Sequence, residues 1–279
     1  MAKTTTILMA LRAAEQQLAA AGQATSVAQY LLQEGRGWSF TELVQHYRES
    51  ATPAFLTMYQ AQVDRVCAGE PAQYVLGHAP FFGREFQVTA ATLIPRQETE
   101  ELVEWILASV TTPIRLLDVG TGSGAIAVSL KAEQPDWTVT ATDISAAAVD
   151  VARANAQTLA APVTFAVGDL LAPVSGHRFD VIVSNPPYID HSELPEMDES
   201  VKRFEPQGAL FAADHGLAFY RRFAASIGDF LVPHGQFFAE IGYQQGPAVK
   251  AIFAAAYPQA TVTIKADING HDRMVRVQL

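Results

Sequence analysis

A chain of 279 residues, 49% apolar and 17% charged, can bury a substantial core and exceeds the ~250 residues at which single cores usually stop growing, so two domains and no disordered tract are expected. Charge is 5 basic against 6 acidic residues up to residue 78 and 14 against 23 beyond it, net -10, which lacks the basic footprint of a protein that neutralises nucleic-acid phosphates. The single cysteine, Cys67, excludes an internal disulfide, no stretch approaches the ~20 apolar residues that span a bilayer, and Met1-Ala2-Lys3-Thr4 opens no signal-peptide core; a soluble chain in a reducing, cytoplasmic setting is expected.

Residues 4–22 carry Ile7, Leu8, Leu11 and Leu18 at helical spacing and stop at Gly22, a natural helix end. A second helix starts at Thr25 or Ser26 and ends near Gly35. Ser39 and Glu42 have capping-box spacing before a third, and a fourth runs from about Pro53 to Ala68. Residues 1–73 therefore read as a small helical bundle. From 74 to 95 the pattern turns to aromatic and β-branched residues around Gly77, Pro80 and Gly83, a β-hairpin linker. Beyond it, residues 96–279 alternate apolar runs with helical stretches, beginning with a helix that carries Glu98, Glu100 and Glu101 in its first turn. Strands are expected near 114–119, 138–142, 163–167, 179–184, 236–241, 260–265 and 274–278, the last two joined by the turn Asp267-Ile268-Asn269-Gly270. This is the pattern of a doubly wound, Rossmann-like α/β sheet.

The first of these strands runs into Asp118-Val119-Gly120-Thr121-Gly122-Ser123-Gly124 and then into the helix-like Ala125-Ile126-Ala127-Val128. Without Cβ atoms, a ligand can approach such a turn closely, and the following helix offers free N–H groups. Gly120, Gly122 and Ala125 also satisfy the dinucleotide fingerprint, so a nicotinamide site stays open at this point. Asp143, at the end of the next strand, is placed to accept bonds from ribose hydroxyls in either kind of site, or to cap the following helix. Asp118 favours a cationic sulfonium ligand, S-adenosylmethionine, because a carboxylate beside the glycines is poorly placed for a diphosphate; its alternative is a structural role at a strand end. Asp169, after the third strand, is placed to reach an adenine edge, with loop capping the alternative.

The fourth strand ends in Asn185-Pro186-Pro187-Tyr188, beside the glycine loop at the expected switch point of the sheet. Two prolines remove two N–H donors and stiffen the turn, so it can only accept. The Asn185 side-chain oxygen and the Pro186 carbonyl would take the two N–H groups of a planar –NH2, while Tyr188 covers its flat face.

With these residues the chain resembles the bacterial peptide chain release factor N5-glutamine methyltransferases. The resemblance also rests on Pro71-Ala72-Gln73-Tyr74-Val75-Leu76-Gly77, Leu93-Ile94-Pro95-Arg96-Gln97-Glu98-Thr99-Glu100, Glu205-Pro206, Gly216-Leu217, Glu240-Ile241-Gly242 and Asp272-Arg273, and it covers nearly the whole chain. It implies a seven-stranded class I methyltransferase domain, methylation of the glutamine in a Gly-Gly-Gln tripeptide of class 1 release factors, S-adenosylmethionine as methyl donor, and an N-terminal helical domain that helps hold the release factor. It assigns cofactor binding to Gly120 through Gly124, Asp143 and Asn185, and gives Arg96, Glu98 and Glu100 a site-lining or hinge role that composition alone does not. Gln97 departs from a frequent Pro, and Leu170 stands where some members place Trp beside the adenine. His177, His191, His215 and His271 have no metal spacing and read as surface or loop residues. Two other readings remain: an adenine-N6 methyltransferase, disfavoured by the acidic charge and the lack of an inserted recognition segment, and a non-catalytic protein-binding module stabilised by its cofactor. A monomer is the default.

Overall fold

The computed structural model describes residues 5–279; the expectation drawn from Met1-Ala2-Lys3-Thr4, and the start of the first helix at residue 4, lie outside the described residues. By its internal contacts the chain divides into two units, one running to His78 and taking in Asp198–Phe204, the other made of Ala79–Met197 and Glu205–Leu279.

The first unit is helical. In α1 (Ile7–Ala20) the buried residues Ile7, Leu11, Ala14 and Leu18 fall three and four apart, as an amphipathic stripe requires, and Thr6 caps the start by accepting the Met9 N–H. α2 (Ser26–Arg36) ends on Gly37 at φ 63°, a left-handed turn that a glycine adopts without strain. α3 (Phe40–His46) carries the Ser39/Glu42 capping box, with both reciprocal bonds made. Thr52 and Pro53 open α4 (Pro53–Cys67), and Pro71 precedes the short α5 (Ala72–Leu76), which the sequence pattern merges with the hairpin. Leu18, Ala28, Leu31, Leu43 and Val63 close a common core with no exposed surface. The Tyr59 hydroxyl, buried there, donates to the Ala28 carbonyl at 2.7 Å.

The strands β1 (His78–Phe81) and β2 (Arg84–Gln87) form a hairpin that belongs to the second unit from Ala79 onward. Its turn residues Phe82 and Gly83 both have left-handed φ, 50° and 70°, the twist that matches a two-residue hairpin. The non-glycine conformation is held because the Phe82 N–H donates to Glu100 at 2.9 Å. There follow α6 (Gln97–Ser109), β3 (Arg115–Val119), α7 (Ala125–Glu133), β4 (Thr138–Asp143), α8 (Ala146–Thr158), β5 (Thr164–Val167) and β6 (Phe179–Ser184). After α9 (Glu199–Phe204), which falls in the first unit, come α10 (Ala218–Phe230), β7 (Leu231–Glu240), α11 (Gly246–Ala256), β8 (Thr261–Ala266) and β9 (Asp272–Gln278).

The sheet has seven strands in the order β5-β4-β3-β6-β7-β9-β8, parallel through β7, with β9 antiparallel to both neighbours. This is the expected doubly wound class I methyltransferase architecture. Adjacent strand residues face opposite layers, so Leu116 packs with Leu102, Ile106 and Val128 of α6 and α7, while Leu117 packs with Phe223, Ile227 and Phe253 of α10 and α11. Burying each such side chain contributes ~1.5–3 kcal/mol. β7 begins at Leu231 rather than near 236: its register against β6 slips between Phe179 and Val181, where Pro233, His234 and Gly235 bulge out and hide the start of the strand from pattern reading. The strand order reverses between β3 and β6, so ligands of such a sheet are expected outside the carboxyl ends of these two strands. Among the described residues no helix is long and apolar enough to cross a membrane.

Candidate active site

At the carboxyl end of β3 the chain turns through Gly120, Gly122 and Gly124, at φ 75°, 57° and 83°. Side chains rarely adopt such values, and at Gly124 space is also tight, since a Cβ would lie 3.1 Å from that of Ala152. The N–H groups of Gly120 and Thr121 donate to the Thr142 carbonyl at the end of β4, at 2.8 and 3.0 Å, pinning the loop to its neighbour strand. Asn155, buried on α8, clamps it from behind: its amide donates to the Ser123 carbonyl at 2.8 Å and exchanges two bonds with the backbone of Gln87 on β2. Among the described residues nothing accepts from the N–H groups of Ser123, Ala125 and Ile126, so they remain available to a ligand at the positive end of α7.

These three residues face a cavity of about 500 Å³. Gly120, Thr121, Gly122, Asp143, Asp169, Leu170, Asn185 and Pro187 line it as well, joined by Arg96, Thr99, Ile144, Phe219 and Arg222. Asp143 accepts the Gly122 N–H through one oxygen and the Ser145 N–H through the other, both at 2.9 Å, so its carboxylate is fixed in direction and keeps lone pairs for ribose-like hydroxyls. The helix cap is Ser145, which accepts the Ala148 N–H. Asp169 is ion-paired to Arg222, whose guanidinium also lies over the Phe219 ring. Leu170 sits at φ 47° with its carbonyl bonded to Thr142.

Four of the sequence-derived site residues stand outside the cavity wall: Asp118, Gly124, Pro186 and Tyr188. Asp118 is fully buried beneath the loop and accepts the Thr121 hydroxyl at 2.6 Å. Burial pushes its carboxyl up to about 7, only partly opposed by Thr121 and the Ala127 amide, and the charge of Asp143 adds to the rise. A group half-protonated near neutrality is no standing negative charge, which removes the electrostatic ground for placing it against the ligand. Glu98 and Glu100 are likewise off the wall; Glu100 holds the hairpin turn instead. Arg96 does line it, paired to the buried Glu205, which also accepts the Ile94 N–H.

The corner after β6 is held by residues distant in sequence. Ser184 donates to the Val119 carbonyl at 2.7 Å, tying β6 to β3. The Asn185 amide nitrogen donates to Thr99 at 3.1 Å and to Glu240 at 2.9 Å, and the Thr99 hydroxyl donates to the same Glu240 oxygen at 2.6 Å. The other Glu240 oxygen accepts the Tyr188 hydroxyl at 2.9 Å. Gln245 takes the Tyr188 carbonyl at 2.8 Å. Burial raises the Glu240 carboxyl above its ordinary range, while the Thr99 and Tyr188 bonds and the positive Arg273 pull the other way; burial likewise pushes the Tyr188 hydroxyl far up. Among the described residues no donor reaches the Asn185 Oδ1 or the Pro186 and Pro187 carbonyls, so this corner presents acceptors alone.

Comparison with known proteins decides the family. Residues 98–213 match the methyltransferase small domain and residues 9–77 the PrmC N-terminal domain. The release factor glutamine methyltransferase of Enterococcus faecalis is 43% identical over 92% of this chain and 93% of its own, and that of Bacillus subtilis 41% identical over 97% and 96%. The chain belongs to the release factor glutamine methyltransferase family. A methyltransferase from Pyrococcus furiosus, 20% identical, has the same fold at a TM-score of 0.54 over 78% of this chain and 96% of its own. Two residues of this family member escaped assignment from sequence: Thr99 and Glu240, both quoted for the resemblance but given no role. A charge at the end of the apolar run Phe237-Phe238-Ala239 was the available signal.

Proposed function

We propose that this chain methylates the side-chain amide nitrogen of the glutamine in the Gly-Gly-Gln tripeptide of class 1 peptide chain release factors, with S-adenosylmethionine as donor, as a monomer in the cytoplasm. The observation that carries this reading is the acceptor-only corner at Asn185, set in the wall of the cavity that the glycine loop lines. An amide –NH2 has two donors and needs acceptors, which a carboxylate or carbonyl substrate could not use.

The residues present fit the donor. Free N–H groups of Ser123, Ala125 and Ile126 suit its aminoacyl carboxylate, Asp143 suits ribose hydroxyls, and exposed Ile144 with Leu170 offers apolar cover for an adenine. Gly120, Thr121, Gly122, Ser123, Asp143, Asp169, Leu170 and Asn185 would hold it, with Asp118 and Gly124 shaping the loop from below. When bound, the donor would supply an electrophilic sulfonium methyl, with its sulfur as leaving group, and the amide nitrogen that accepts the methyl would give one proton to water.

What the chain contributes is aim. Among the described residues no histidine lines the cavity, and a general base supplies only ~10²–10⁴-fold, about 3–5 kcal/mol, whereas orientation supplies ~7–11 kcal/mol. Asn185 Oδ1 and the Pro186 carbonyl accept the two amide N–H groups and stabilise the positive charge that grows on nitrogen; Pro187 stiffens the turn, and Tyr188 braces it through Glu240. The helical residues 1–73 serve as the release-factor docking domain, 74–95 as the linking hairpin and 96–279 as the catalytic domain. The test is transfer from methyl-labelled donor to a purified class 1 release factor, with the product mapped by mass spectrometry. Label on the Gly-Gly-Gln glutamine is expected; label on nucleic acid, or none, contradicts the reading.

A further inference from the structure

We infer that Glu240 is a positioning residue for the transfer: by accepting from Asn185, Thr99 and Tyr188 at once, its buried carboxylate locks the Asn185 amide with Oδ1 toward the cavity and so makes the site selective for an N–H donor. The inference deepens the proposed function and rests on it.

An asparagine amide has two faces of opposite chemistry, an acceptor oxygen and a donor –NH2, separated by a half-turn of one bond. Left to itself, Asn185 could present either to a ligand. Glu240 removes the choice. It lies one residue beyond Ala239, which pairs with Ser184, so the parallel register of β6 and β7 sets it beside Asn185. Its Oε1 accepts from Tyr188 and its Oε2 from Thr99, so both oxygens act as acceptors, and Oε2 stands 2.9 Å from the Asn185 nitrogen. A reversed amide would set oxygen against oxygen in a buried place. Thr99 closes the alternative route: its hydroxyl proton goes to the same Oε2 at 2.6 Å, which leaves Thr99 only a lone pair for Asn185. Tyr188 donates to the remaining carboxylate oxygen at 2.9 Å, so both oxygens are held, while the Tyr220 hydroxyl donates to the Glu240 main-chain carbonyl at 2.8 Å and fixes the backbone beneath them. Arg273 faces the group as counter-charge, Glu98 as a like charge. Glu240 does not line the cavity and touches no reacting atom; its effect passes through Asn185.

The variant Glu240→Gln keeps the length and shape of the side chain but offers one acceptor and one donor where the carboxylate offers two acceptors. The Asn185 amide is then free to reverse. Turnover of a class 1 release factor should fall about 10- to 100-fold, the worth of a hydrogen bond to a charged group. A structural brace alone would not alter selectivity, so the decisive readout is binding of the release factor against its Gly-Gly-Glu counterpart. The wild-type protein should prefer glutamine, and Glu240→Gln should narrow that preference about tenfold as the reversed Asn185 offers N–H groups to a carboxylate. An unchanged preference, whatever the turnover, overturns the inference yet leaves the proposed function standing; a wild-type protein that methylates no release factor sinks the function instead. A second measurement needs no variant: the Asn185 side-chain amide protons of the wild-type protein should exchange slowly with solvent by NMR, and free exchange overturns the lock.

Discussion

The sharpest energetic consequence of the fold sits below the glycine loop. Asp118 has no exposed surface, and burial raises its carboxyl from 3.8 to about 7 despite the bonds from Thr121 and Ala127. Because the folded value is the higher one, the native protein holds this proton over a pH range in which the unfolded chain has lost it. The stabilisation is complete below about pH 4 and disappears as pH rises through about 7. A rise of about 3 units at ~1.4 kcal/mol each corresponds to about 4 kcal/mol between those limits. Asp118→Asn, which stays neutral throughout, should therefore gain on the wild-type protein by up to about 4 kcal/mol as pH rises across that window, whatever fixed offset the amide introduces. Urea unfolding of both proteins at a series of pH values measures this difference directly, since carboxylates common to both cancel. A difference that does not vary with pH would refute the assignment of a raised value to Asp118.

Other consequences follow from single contacts. Asn155→Ala removes the bonds to Ser123 and Gln87, stranding the buried Ser123 carbonyl and the part-buried Gln87 backbone groups; a loss of about 3 kcal/mol is expected by chemical denaturation. Gly124→Ala combines a left-handed φ of 83° with a Cβ 3.1 Å from that of Ala152, so it should lower stability by at least about 1–2 kcal/mol, seen as a reduced Tm. Asp143→Ala should weaken S-adenosylmethionine binding about 10- to 100-fold in calorimetry while the fold, by circular dichroism, stays intact.

The parts legible in the sequence are those set by local chemistry. The Ser39/Glu42 cap, the glycines that need positive φ, and the apolar runs of β3 to β6 announce themselves within a few residues. What stayed hidden depends on partners far along the chain. Thr99 and Glu240 are 141 positions apart, and only the register of β6 against β7 puts that carboxylate under Asn185. Asp118 looks like a ligand contact from its neighbours in sequence, yet it is buried beneath the loop, and the Tyr188 hydroxyl finds its partner Glu240 52 positions along the chain. The beginning of β7 was masked by Pro233 and Gly235, whose turn chemistry marks a bulge rather than a boundary.

The account depends most on Asn185 as the acceptor that orients the amide nitrogen. The direct measurement is single-turnover methyl transfer to a class 1 release factor by Asn185→Ala, with folding checked by circular dichroism. Loss of on the order of 10²-fold in rate from a folded variant is predicted, by analogy with deleting one transition-state hydrogen-bonding group. A folded Asn185→Ala protein that transfers methyl at close to the wild-type rate would contradict it.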